Sequence, residues 1–432
     1  MVTKLNSIRQ FSQNGERVEN LASLITVESL KAIHFAIDGR KAAGIDGVKK
    51  DAYETHLSDN IEHFVERMKR RSYKPKPSRR TYIDKVGSQK KRPLGISSYE
   101  DKLVESRIAQ ILTEVYEPKF LETSYGYRPG RGCHDAIKDL VSKMSGKTSY
   151  VVEADIRSFF DKLDHDWLMK FLKHDIADSR FLEVIQKFLK AGVVEKGQLL
   201  NSESGSPQGN AASAILANVY LHYVLDLWFE KSVKPSLKGE AHIVRYADDF
   251  VVCFQYWDDA IRFYNALPSR FAKFGLELAE EKTQIIQFGR FAAQRRKLSG
   301  KGKPRTITFL GFTFYCSRNR ADTQFVVKLV SSRKKMTDKL MKMNQWIKAN
   351  RHLPVKELIA RINRSLVGHY CYYGVTHNGE SLKTFLHQTA KYLYKWLNKR
   401  SQKRSYNWET FQYGLLRTIP LAIPKIRVNL YD

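Results

Sequence analysis

The chain has 432 residues and carries 74 Lys and Arg against 45 Asp and Glu, a formal net charge of +29. At about 150 residues per domain, this length predicts two to four domains. A chain of this size can form a hydrophobic core that is stable without disulfide bonds or structural metal ions. A hydrophobic content of 42% with 24 Gly and 12 Pro excludes the disordered, collagenous and low-complexity classes. A charge excess of this size indicates a polyanionic partner, and nucleic acid is the commonest large polyanion in a cytosol.

The four cysteines lie far apart and form no CxxC pair: Cys133, Cys253, Cys316 and Cys371. This spacing speaks against a zinc ribbon and against a secreted disulfide framework, so a reducing compartment is expected. No segment reaches the roughly 18 uninterrupted apolar residues of a membrane helix, and the first residues lack the apolar stretch of a signal peptide. The chain is therefore predicted to be soluble and cytoplasmic, with no membrane partner.

The predicted elements follow a polar stretch, residues 1–20, that is expected to be loosely ordered. Helical spacing of apolar residues predicts helices over 21–40, 56–71, 101–116 and 159–172, a long apolar helix from the end of the 205–209 loop to about 228, and helices over 257–274 and over most of the chain after 332. Alternating or β-branched runs predict strands at 81–83, 94–96, 150–155, 242–246 and 250–254, and a strand or hairpin at 306–314. Strands among helices without a regular βαβ alternation indicate an α+β fold, and a shift toward basic helical sequence marks a domain boundary near 325.

Two stretches concentrate the positive charge. Residues 282–321 contain ten Lys or Arg and no acidic residue, and residues 381–408 contain seven basic residues and no acidic one. In the second stretch, aromatic residues alternate with the cations: Tyr392, Tyr394, Trp396, Tyr406 and Trp408. Cations that contact phosphates beside aromatics that stack on bases are typical of a nucleic-acid surface. Leu393, Trp396 and Leu397 also fit the buried face of an amphipathic helix, so some of these aromatics are expected in the core.

The strongest chemical signal is the predicted hairpin around Asp248 and Asp249, which sit at a tight turn between two apolar strands. Two adjacent ionised carboxylates would repel each other there unless cations neutralise them. Hard oxygen ligands of this kind suit Mg²⁺, and Asp155 at the end of another predicted strand would complete a two-metal site. A pair of aspartates is also common in ordinary surface turns, and Asp258 with Asp259 is interpreted as such a pair at a helix start.

The sequence YADDF at 246–250 resembles the catalytic hairpin of reverse transcriptases. Further motifs along the chain occur in the same order as in the bacterial group II intron branch of that family. These motifs are GIDG (44–47), RPLGI (92–96), YGYRPGR (125–131), EADIRSFFD (153–161), GSPQGN (205–210) with ILAN (215–218), LELAEEKT (276–283), FLGF (309–312), NRSLVGHY (363–370) and YYG (372–374). The resemblance implies a right-hand polymerase fold with fingers, palm and an α-helical thumb or maturase domain. It places an N-terminal extension at 1–40, fingers and palm at 41–325, and the thumb with a basic C-terminal segment at 326–432.

The resemblance also implies roles for individual residues. The metal ligands would be Asp155, Asp248 and Asp249, with the backbone carbonyl of Ile156 near one ion. The incoming nucleotide would contact Lys85, Arg92, Ile156, Phe160 and Gln208, with Phe160 as the aromatic gate against a ribose 2′-hydroxyl. The residue pattern alone would place Phe159 and Phe160 in the core, and one of the two is still expected there. The primer end would rest on Leu310 and Gly311.

The implied cofactors are two Mg²⁺ ions, for which Mn²⁺ would substitute. The implied partners are an RNA template, a group II intron RNA, a DNA or RNA primer, dNTPs and target DNA. Structured RNA would bind through the basic C-terminal residues Lys395, Lys399, Arg400, Lys403 and Arg404. The implied activity is RNA-directed DNA polymerisation, together with maturase assistance to intron splicing and mobility.

Departures from the family pattern bear on these assignments. The basic loop at 85–92 lacks the usual Pro after its lysine, and the sequence after GSPQG continues Asn-Ala-Ala-Ser, which blurs the nucleotide contacts. The fifty or so residues after the thumb are too few for the HNH-type endonuclease that many relatives carry. Three alternatives therefore stay open: a splicing maturase with little polymerase activity, a domesticated reverse transcriptase in phage defence or DNA repair, and, more remotely, an RNA-dependent RNA polymerase.

Overall fold

The computed structural model describes residues 2–84, 91–200, 204–206, 209–402 and 405–431. The described residues divide into two compact units. The first unit contains the described residues up to 136 together with residues 152–285, and the second contains residues 137–151 and 286–431. The domain boundaries at 40 and 325 derived from the sequence remain predictions.

Helices dominate the first unit. They are α1 (Val2–Gln13), α2 (Val27–Ala36), α3 (Lys50–Glu54), α4 (Leu57–Lys69), α5 (Tyr99–Tyr116), α6 (Cys133–Ser145, which continues into the second unit), α7 (His165–Asp175), α8 (Ser179–Lys190), α9 (Ala211–Leu221) and α10 (Trp257–Ala272). Side-chain caps fix several starts: Thr26 and Ser29 form a capping box at α2, and Asn210 accepts a 2.6 Å hydrogen bond from the Ser213 amide at α9. Such caps satisfy amides that have no partner within the helix.

Two sheets support this unit. Their strands are β1 (Ser78–Asp84), β2 (Lys91–Ile96), β3 (Tyr150–Ala154), β4 (Val193–Glu195), β5 (Gln198–Leu200), β6 (Ala241–Tyr246), β7 (Asp249–Phe254) and β8 (Gln284–Gln287). One sheet has the order β2-β1-β4-β5, and the other has the order β6-β7-β3-β8. β1 pairs antiparallel with β2, and β6 pairs antiparallel with β7, as the alternating patterns predicted. β7 is buried at every position after Asp249, so this second sheet lies in the core.

The helix that begins with α9 continues, in part as π-helical turns, to Ser236. By length and hydropathy Ala211–Ser236 could span a membrane, yet 78% of its most apolar window is buried inside the structure. Such burial is typical of a core helix, because the apolar side chains already contact protein on all sides. The long apolar helix expected up to about 228 is confirmed, and it extends further than the pattern predicted.

The second unit combines a three-stranded meander with a helical bundle. Its elements are α11 (Ala292–Leu298), β9 (Ile307–Phe309), β10 (Phe312–Arg318), β11 (Phe325–Ser331), α12 (Arg333–Asn350), α13 (Val355–Tyr373), α14 (Gly379–Leu397) and α15 (Leu416–Thr418). β10 lies between β9 and β11 and is antiparallel to both. The bundle buries one face of each long helix, with Ile347, Leu366 and Leu393 completely enclosed. Tyr394, Trp396 and Trp408 pack against this core, which confirms that some C-terminal aromatics are structural.

Two expectations about local order were wrong. Residues 2–13 form α1, whose Ile8 is buried and whose Arg9 pairs with Glu114 on α5 at 3.3 Å. The polarity of the stretch concealed a short buried stripe. The helix expected over 159–172 is interrupted: a short 3₁₀ turn, Phe159–Asp161, precedes α7, for which Asp164 is the N-cap. An N-cap residue must leave helical geometry, so the two helical segments cannot be continuous.

Candidate active site

The turn between β6 and β7 holds the two adjacent aspartates. Tyr246 pairs with Asp249, so Ala247 and Asp248 form a two-residue hairpin loop. Ala247 has φ = +56°, a backbone conformation that ordinarily favours glycine at this position of a hairpin. A strained conformation of this kind persists only where the surroundings impose it.

Arg245 is one of the groups that impose it. Its guanidinium is completely buried and donates a 3.0 Å hydrogen bond from Nη1 to the carbonyl of Ala247. The same Nη1 donates to Asn218 Oδ1 at 3.0 Å, and the Asn218 amide donates to the carbonyl of Gly126 at 2.6 Å. The turn is therefore tied to the core helix and to the YGYRPGR loop.

Gly126 allows that loop to approach the turn closely. A Cβ atom at this position would lie 2.4 Å from the Ala247 nitrogen, closer than real Cβ contacts permit. The next residue, Tyr127, has φ = +58° and is half exposed. Burial of its ring and the Asp248 carboxylate raise the pKa of the Tyr127 hydroxyl, and Arg92 opposes that shift. The potential at the Tyr127 hydroxyl therefore depends on both the Asp248 carboxylate and Arg92, a predicted nucleotide-binding cation.

Asp155 follows β3 directly and is held by the LELAEEKT segment. The Ala279 amide donates to the Asp155 carbonyl at 2.8 Å, and the Arg157 amide donates to the Glu277 carbonyl at 2.8 Å. These two bonds flank the bridge between Ile156 and Leu278 and use groups of Asp155 and Arg157, not the Ile156 carbonyl. The carboxylate of Asp155 therefore projects from a fixed backbone, and the Ile156 side chain is buried.

Lys282 pairs with one of the predicted metal ligands. Its ammonium forms an ion pair with Asp155 Oδ2. The hydrogen bond to Asp155 raises the pKa of Lys282, and the Asp249 carboxylate contributes in the same direction. The Asp249 carboxylate, 94 positions from Asp155 in the chain, thus contributes to the negative potential at the ammonium that pairs with Asp155.

The donor chemistry around Lys282 fits a divalent cation. Within the described residues, the structure arranges no group of three or more His, Cys, Asp or Glu side chains as a metal cluster. Instead, the ammonium of Lys282 pairs with the Asp155 carboxylate. This ammonium occupies a position to which a divalent cation would also be attracted. Carboxylate oxygens are the ligands that Mg²⁺ prefers.

The GSPQGN loop lies beside the EADIRSFFD segment. The Ser206 amide donates to the Phe160 carbonyl at 2.8 Å, and Gly205, with φ = +86°, packs against the same carbonyl. Phe159 is 2% exposed and Phe160 is 8% exposed, with their ring centroids 5.4 Å apart. Both side chains are buried, so the expectation that at least one is a core residue is confirmed.

The FLGF turn belongs to the second unit. Leu310 and Gly311 both have positive φ and connect β9 to β10. Tyr372 donates a 2.7 Å hydrogen bond to the Leu310 carbonyl, and a Cβ on Gly311 would lie 2.9 Å from the Tyr373 hydroxyl. The FLGF and YYG motifs, which are 60 residues apart, thus form one structure.

The predicted RNA-binding lysines surround an indole ring at the ends of α12 and α14. Lys395 Nζ lies 5.2 Å and Lys399 Nζ 6.0 Å from the ring centroid of Trp396. Lys348 and Arg351 lie 5.6 and 6.0 Å from the same ring. Arg400 differs from these cations because its guanidinium donates to the Leu353 carbonyl at 2.7 Å and closes the end of the bundle.

Four predicted site residues fall outside the part of the chain that the structure describes: Lys85, Gln208, Lys403 and Arg404. The others divide between the units. Asp155, Ile156, Phe160, Asp248, Asp249 and Arg92 belong to the first unit, whereas Leu310, Gly311, Lys395, Lys399 and Arg400 belong to the second.

Comparison with known proteins identifies the family. Residues 74–314, more than half of the chain, match the model of the family described as reverse transcriptase (RNA-dependent DNA polymerase). This chain belongs to the reverse transcriptases. Residues 333–414 of the enzyme match the group II intron, maturase-specific domain. The resemblance deduced from the motifs is confirmed, as is its right-hand polymerase fold with a helical maturase domain.

The reverse transcriptase is similar to several known proteins, two of which have names that refer to introns. The group II intron-encoded protein LtrA of Lactococcus lactis subsp. cremoris is 30% identical over 417 residues, covering 80% of this chain and 68% of LtrA. Protein YkfC of Escherichia coli K12 is 31% identical over 269 residues, covering 55% of this chain and 70% of YkfC. An uncharacterized 91 kDa protein in the cob intron of Schizosaccharomyces pombe is 39% identical over 199 residues, covering 46% of this chain and 24% of that protein. The enzyme is therefore an RNA-directed DNA polymerase of the group II intron type.

Several residues of this reverse transcriptase were missed by sequence reasoning. The missed residues near the hairpin are Lys282, Tyr127, Asn218 and Asp226. All except Asp226 belong to one of the family motifs, namely LELAEEKT, YGYRPGR or ILAN. The useful signal was a polar residue at an otherwise apolar position: Asn218 and Asp226 interrupt the apolar helix, and both contact Arg245.

Proposed function

We propose that this reverse transcriptase copies RNA with two Mg²⁺ ions held by Asp155, Asp248 and Asp249, and that it also assists the splicing and mobility of a group II intron RNA. The observation that carries the catalytic part is the ion pair between the Asp155 carboxylate and the Lys282 ammonium, whose pKa the Asp249 carboxylate also raises. A carboxylate that holds a cation lies in a region of negative potential, and a divalent ion with substrate phosphates would replace the lysine there.

The chain's own groups would bind and orient the reactants. Bound Mg²⁺ would lower the pKa of the primer hydroxyl and neutralise the leaving pyrophosphate. Asp155, Asp248 and Asp249 would hold the ions, with Mn²⁺ as a substitute. The Ile156 carbonyl is a further candidate ligand, since the bridge to Leu278 does not use it.

Nucleotide and primer contacts extend this proposal. Arg92 would contact the triphosphate of a dNTP, supported by its electrostatic link to Tyr127 beside Asp248. Phe160 would exclude a ribose 2′-hydroxyl, supported by its position against the GSPQGN loop. Leu310 and Gly311 would hold the primer end, because their tight turn presents backbone rather than side chain. Lys85 and Gln208 remain candidates from the family resemblance alone.

The RNA partner would be an intron with which the protein is associated. The maturase-specific match over 333–414 and the name of LtrA support that assignment. The cations around Trp396 form a surface that can bind phosphates. Positive charges this close repel each other, and a bound anion would relieve that repulsion. The primer would be DNA or RNA, target DNA would be the mobility substrate, and the net charge of +29 suits these polyanions. A cytoplasmic location is proposed on the same grounds.

Primer extension on an RNA template with dNTPs and Mg²⁺ tests the catalytic proposal. Asp248→Ala and Asp155→Ala should each lower the rate by about 10³ or more, because metal-based stabilisation is worth several kcal/mol. Asp258→Ala is the matched control, since Asp258 is an exposed carboxylate at the start of α10. Full activity in either site variant, with unchanged folding and RNA affinity, would overturn the ligand assignment.

An intron-splicing assay at low Mg²⁺ separates the alternatives. Splicing stimulation together with polymerisation supports the proposal. Polymerisation without any splicing of the flanking RNA would favour the domesticated reverse transcriptase, and splicing with negligible extension would favour a maturase that has lost polymerisation.

A further inference from the structure

The segment between the LELAEEKT and FLGF motifs is strongly basic and takes no part in the functions above. Residues 290–305 contain seven basic residues and no acidic one. A like-charged run of this density repels itself, which destabilises the compact state unless an anion is present.

This segment is nevertheless folded against fixed elements. Gly289, with φ = +93°, lies so close to the Thr148 carbonyl that a Cβ atom would be 1.9 Å from that oxygen. The neighbouring Phe288 amide donates to the Ser149 carbonyl at 3.0 Å, and Ala292 is completely buried. The guanidinium of Arg295 stacks at 5.5 Å over the ring of Tyr150. The segment is therefore anchored before any ligand binds, and three of its cations lie on α11, which lowers the entropic cost of binding.

A groove of about 990 Å³ runs between α11 and the tip of the β10–β11 hairpin. Phe291 lines it and is 51% exposed, so part of its ring is accessible to a ligand. Arg290 and Arg318 contribute charge to the lining, and Gln294 and Gln324 contribute amide groups. An exposed ring for stacking, cations for phosphates and amides for base edges are the groups with which proteins bind single-stranded nucleic acid.

Asp322 is the acidic residue of the lining and pairs with Arg318, with 3.7 Å between Arg318 Nη1 and Asp322 Oδ2. Both side chains are largely exposed, at 64% and 79%. An exposed pair of this kind contributes little stability, so a phosphate can displace the carboxylate from the guanidinium.

We propose that this groove is a binding site for single-stranded RNA, in which a base stacks on Phe291 and the adjacent phosphates contact Arg290 and Arg318. The site is distinct from the turn that carries Asp248 and Asp249 and from the cations around Trp396. It rests on the proposed nucleic-acid-binding function and adds to it a defined surface and a preference for unpaired RNA. Stacking requires an accessible base face, which a continuous duplex does not offer.

Binding of a fluorescein-labelled 12-residue oligouridylate by the full chain tests this proposal, with a 12-base-pair RNA duplex as the second probe. Phe291→Ala should weaken oligouridylate binding by about five-fold or more, because one stacked base contributes that much, and should leave the salt dependence unchanged. Arg290→Ala combined with Arg318→Ala should reduce the log–log salt slope by about 1.4, since each phosphate contact to a single strand contributes about 0.7. Duplex affinity should fall less than oligouridylate affinity in the Phe291 variant.

Matched controls remove the same groups elsewhere. Phe35→Ala deletes another exposed ring, and Lys190→Ala combined with Lys231→Ala deletes two exposed cations. Equal effects of site and control variants, or equal losses on duplex and single strand, would overturn the proposal. Photocrosslinks from 4-thiouridine that map only outside residues 289–325 would also overturn it. Extension of a preformed primer–template by the unaltered chain tests the polymerase function separately, so the two failures are distinguishable.

Discussion

Arg245 and Asp226 form a completely buried bidentate ion pair behind the turn that carries Asp248 and Asp249. Arg245 Nε donates to Asp226 Oδ1 at 2.7 Å, and Nη2 donates to Oδ2 at 2.5 Å. Asp226 comes from a π-helical turn within the core helix, where an extra residue per turn redirects a side chain. The pair thus connects the core helix to the guanidinium that holds the Ala247 carbonyl.

Breaking this pair on one side should be costly. Asp226→Asn leaves the Arg245 charge buried without a counter-ion, and we expect a loss of about 3–5 kcal/mol in the free energy of unfolding. Asp226→Leu combined with Arg245→Met should cost less than the sum of Asp226→Leu alone and Arg245→Met alone, because no buried charge remains. A double-mutant cycle by urea unfolding measures this coupling, and additive losses would contradict it. In the double variant, primer extension should still fall, since the Ala247 carbonyl has lost its donor.

Removing the cation that pairs with Asp155 should change the demand for Mg²⁺. Lys282→Gln frees the Asp155 carboxylate, so the Mg²⁺ concentration that gives half-maximal extension should fall, by up to about five-fold for a partly exposed ion pair. Lys162→Gln is the control, because it removes a similar surface ion pair with Glu277 at 2.9 Å. A Mg²⁺ titration of both variants decides the matter. An unchanged or higher Mg²⁺ requirement in Lys282→Gln would show that the lysine does not compete with the metal.

The two adjacent phenylalanines should respond differently to truncation. Phe160→Ala should admit ribonucleotides while dNTP incorporation stays measurable, because the Ser206 amide bonds to the backbone of Phe160 and not to its ring. Phe159→Ala should instead lower stability by about 3–5 kcal/mol without changing sugar selection. Competition between dNTPs and NTPs in primer extension, with thermal unfolding of each variant, separates these outcomes. If Phe159→Ala relaxes sugar selection and Phe160→Ala does not, the gate assignment moves to Phe159.

Acid should weaken the second unit through His369. Its ring stacks on Phe385 with centroids 3.9 Å apart, and burial lowers its pKa to about 4, with Lys339 acting in the same direction. Because the unfolded chain binds a proton near pH 6.5, stability should be complete above that pH and be lost as pH falls toward 4, by up to about 3 kcal/mol. His369→Phe should reduce this loss when urea unfolding is compared at pH 7.5 and 5.0. His222 in the first unit also has a pKa lowered to about 4, and its contribution to the acid-induced loss remains in the His369→Phe variant for comparison.

The cations around Trp396 should determine part of the salt dependence of RNA binding. Replacing Lys348, Arg351, Lys395 and Lys399 by Ala should flatten the log–log salt slope for structured RNA by about 3, if each cation contacts one phosphate. Arg400 is better left in place, because its bond to Leu353 makes it part of the bundle. A control variant removes four exposed lysines of the first unit, namely Lys41, Lys49, Lys190 and Lys231. An unchanged affinity and slope would contradict the predicted RNA surface.

Local pattern was sufficient for much of this protein. The alternation of apolar residues on either side of Asp248 and Asp249 predicted the β6–β7 hairpin, and the Thr81 and Leu94 runs predicted β1 and β2. The ordered motifs identified the reverse transcriptase family before any geometry was considered. These features can be predicted because strand alternation and turn residues depend on only a few neighbouring positions. The order of the motifs is likewise a property of the sequence itself.

The partners of buried and charged groups were decided only by the tertiary structure. Asp155 pairs with Lys282, 127 positions away, and Lys348 and Arg351 join the lysines of α14 at Trp396. The order of residues 2–13 likewise depends on packing against α5, because the stretch is too polar for its pattern to reveal a helix. Periodicity tells which side of an element is buried, but it carries no information about which distant side chain faces it. That choice is made when the elements pack, by the requirement that every buried charge and polar group finds a partner.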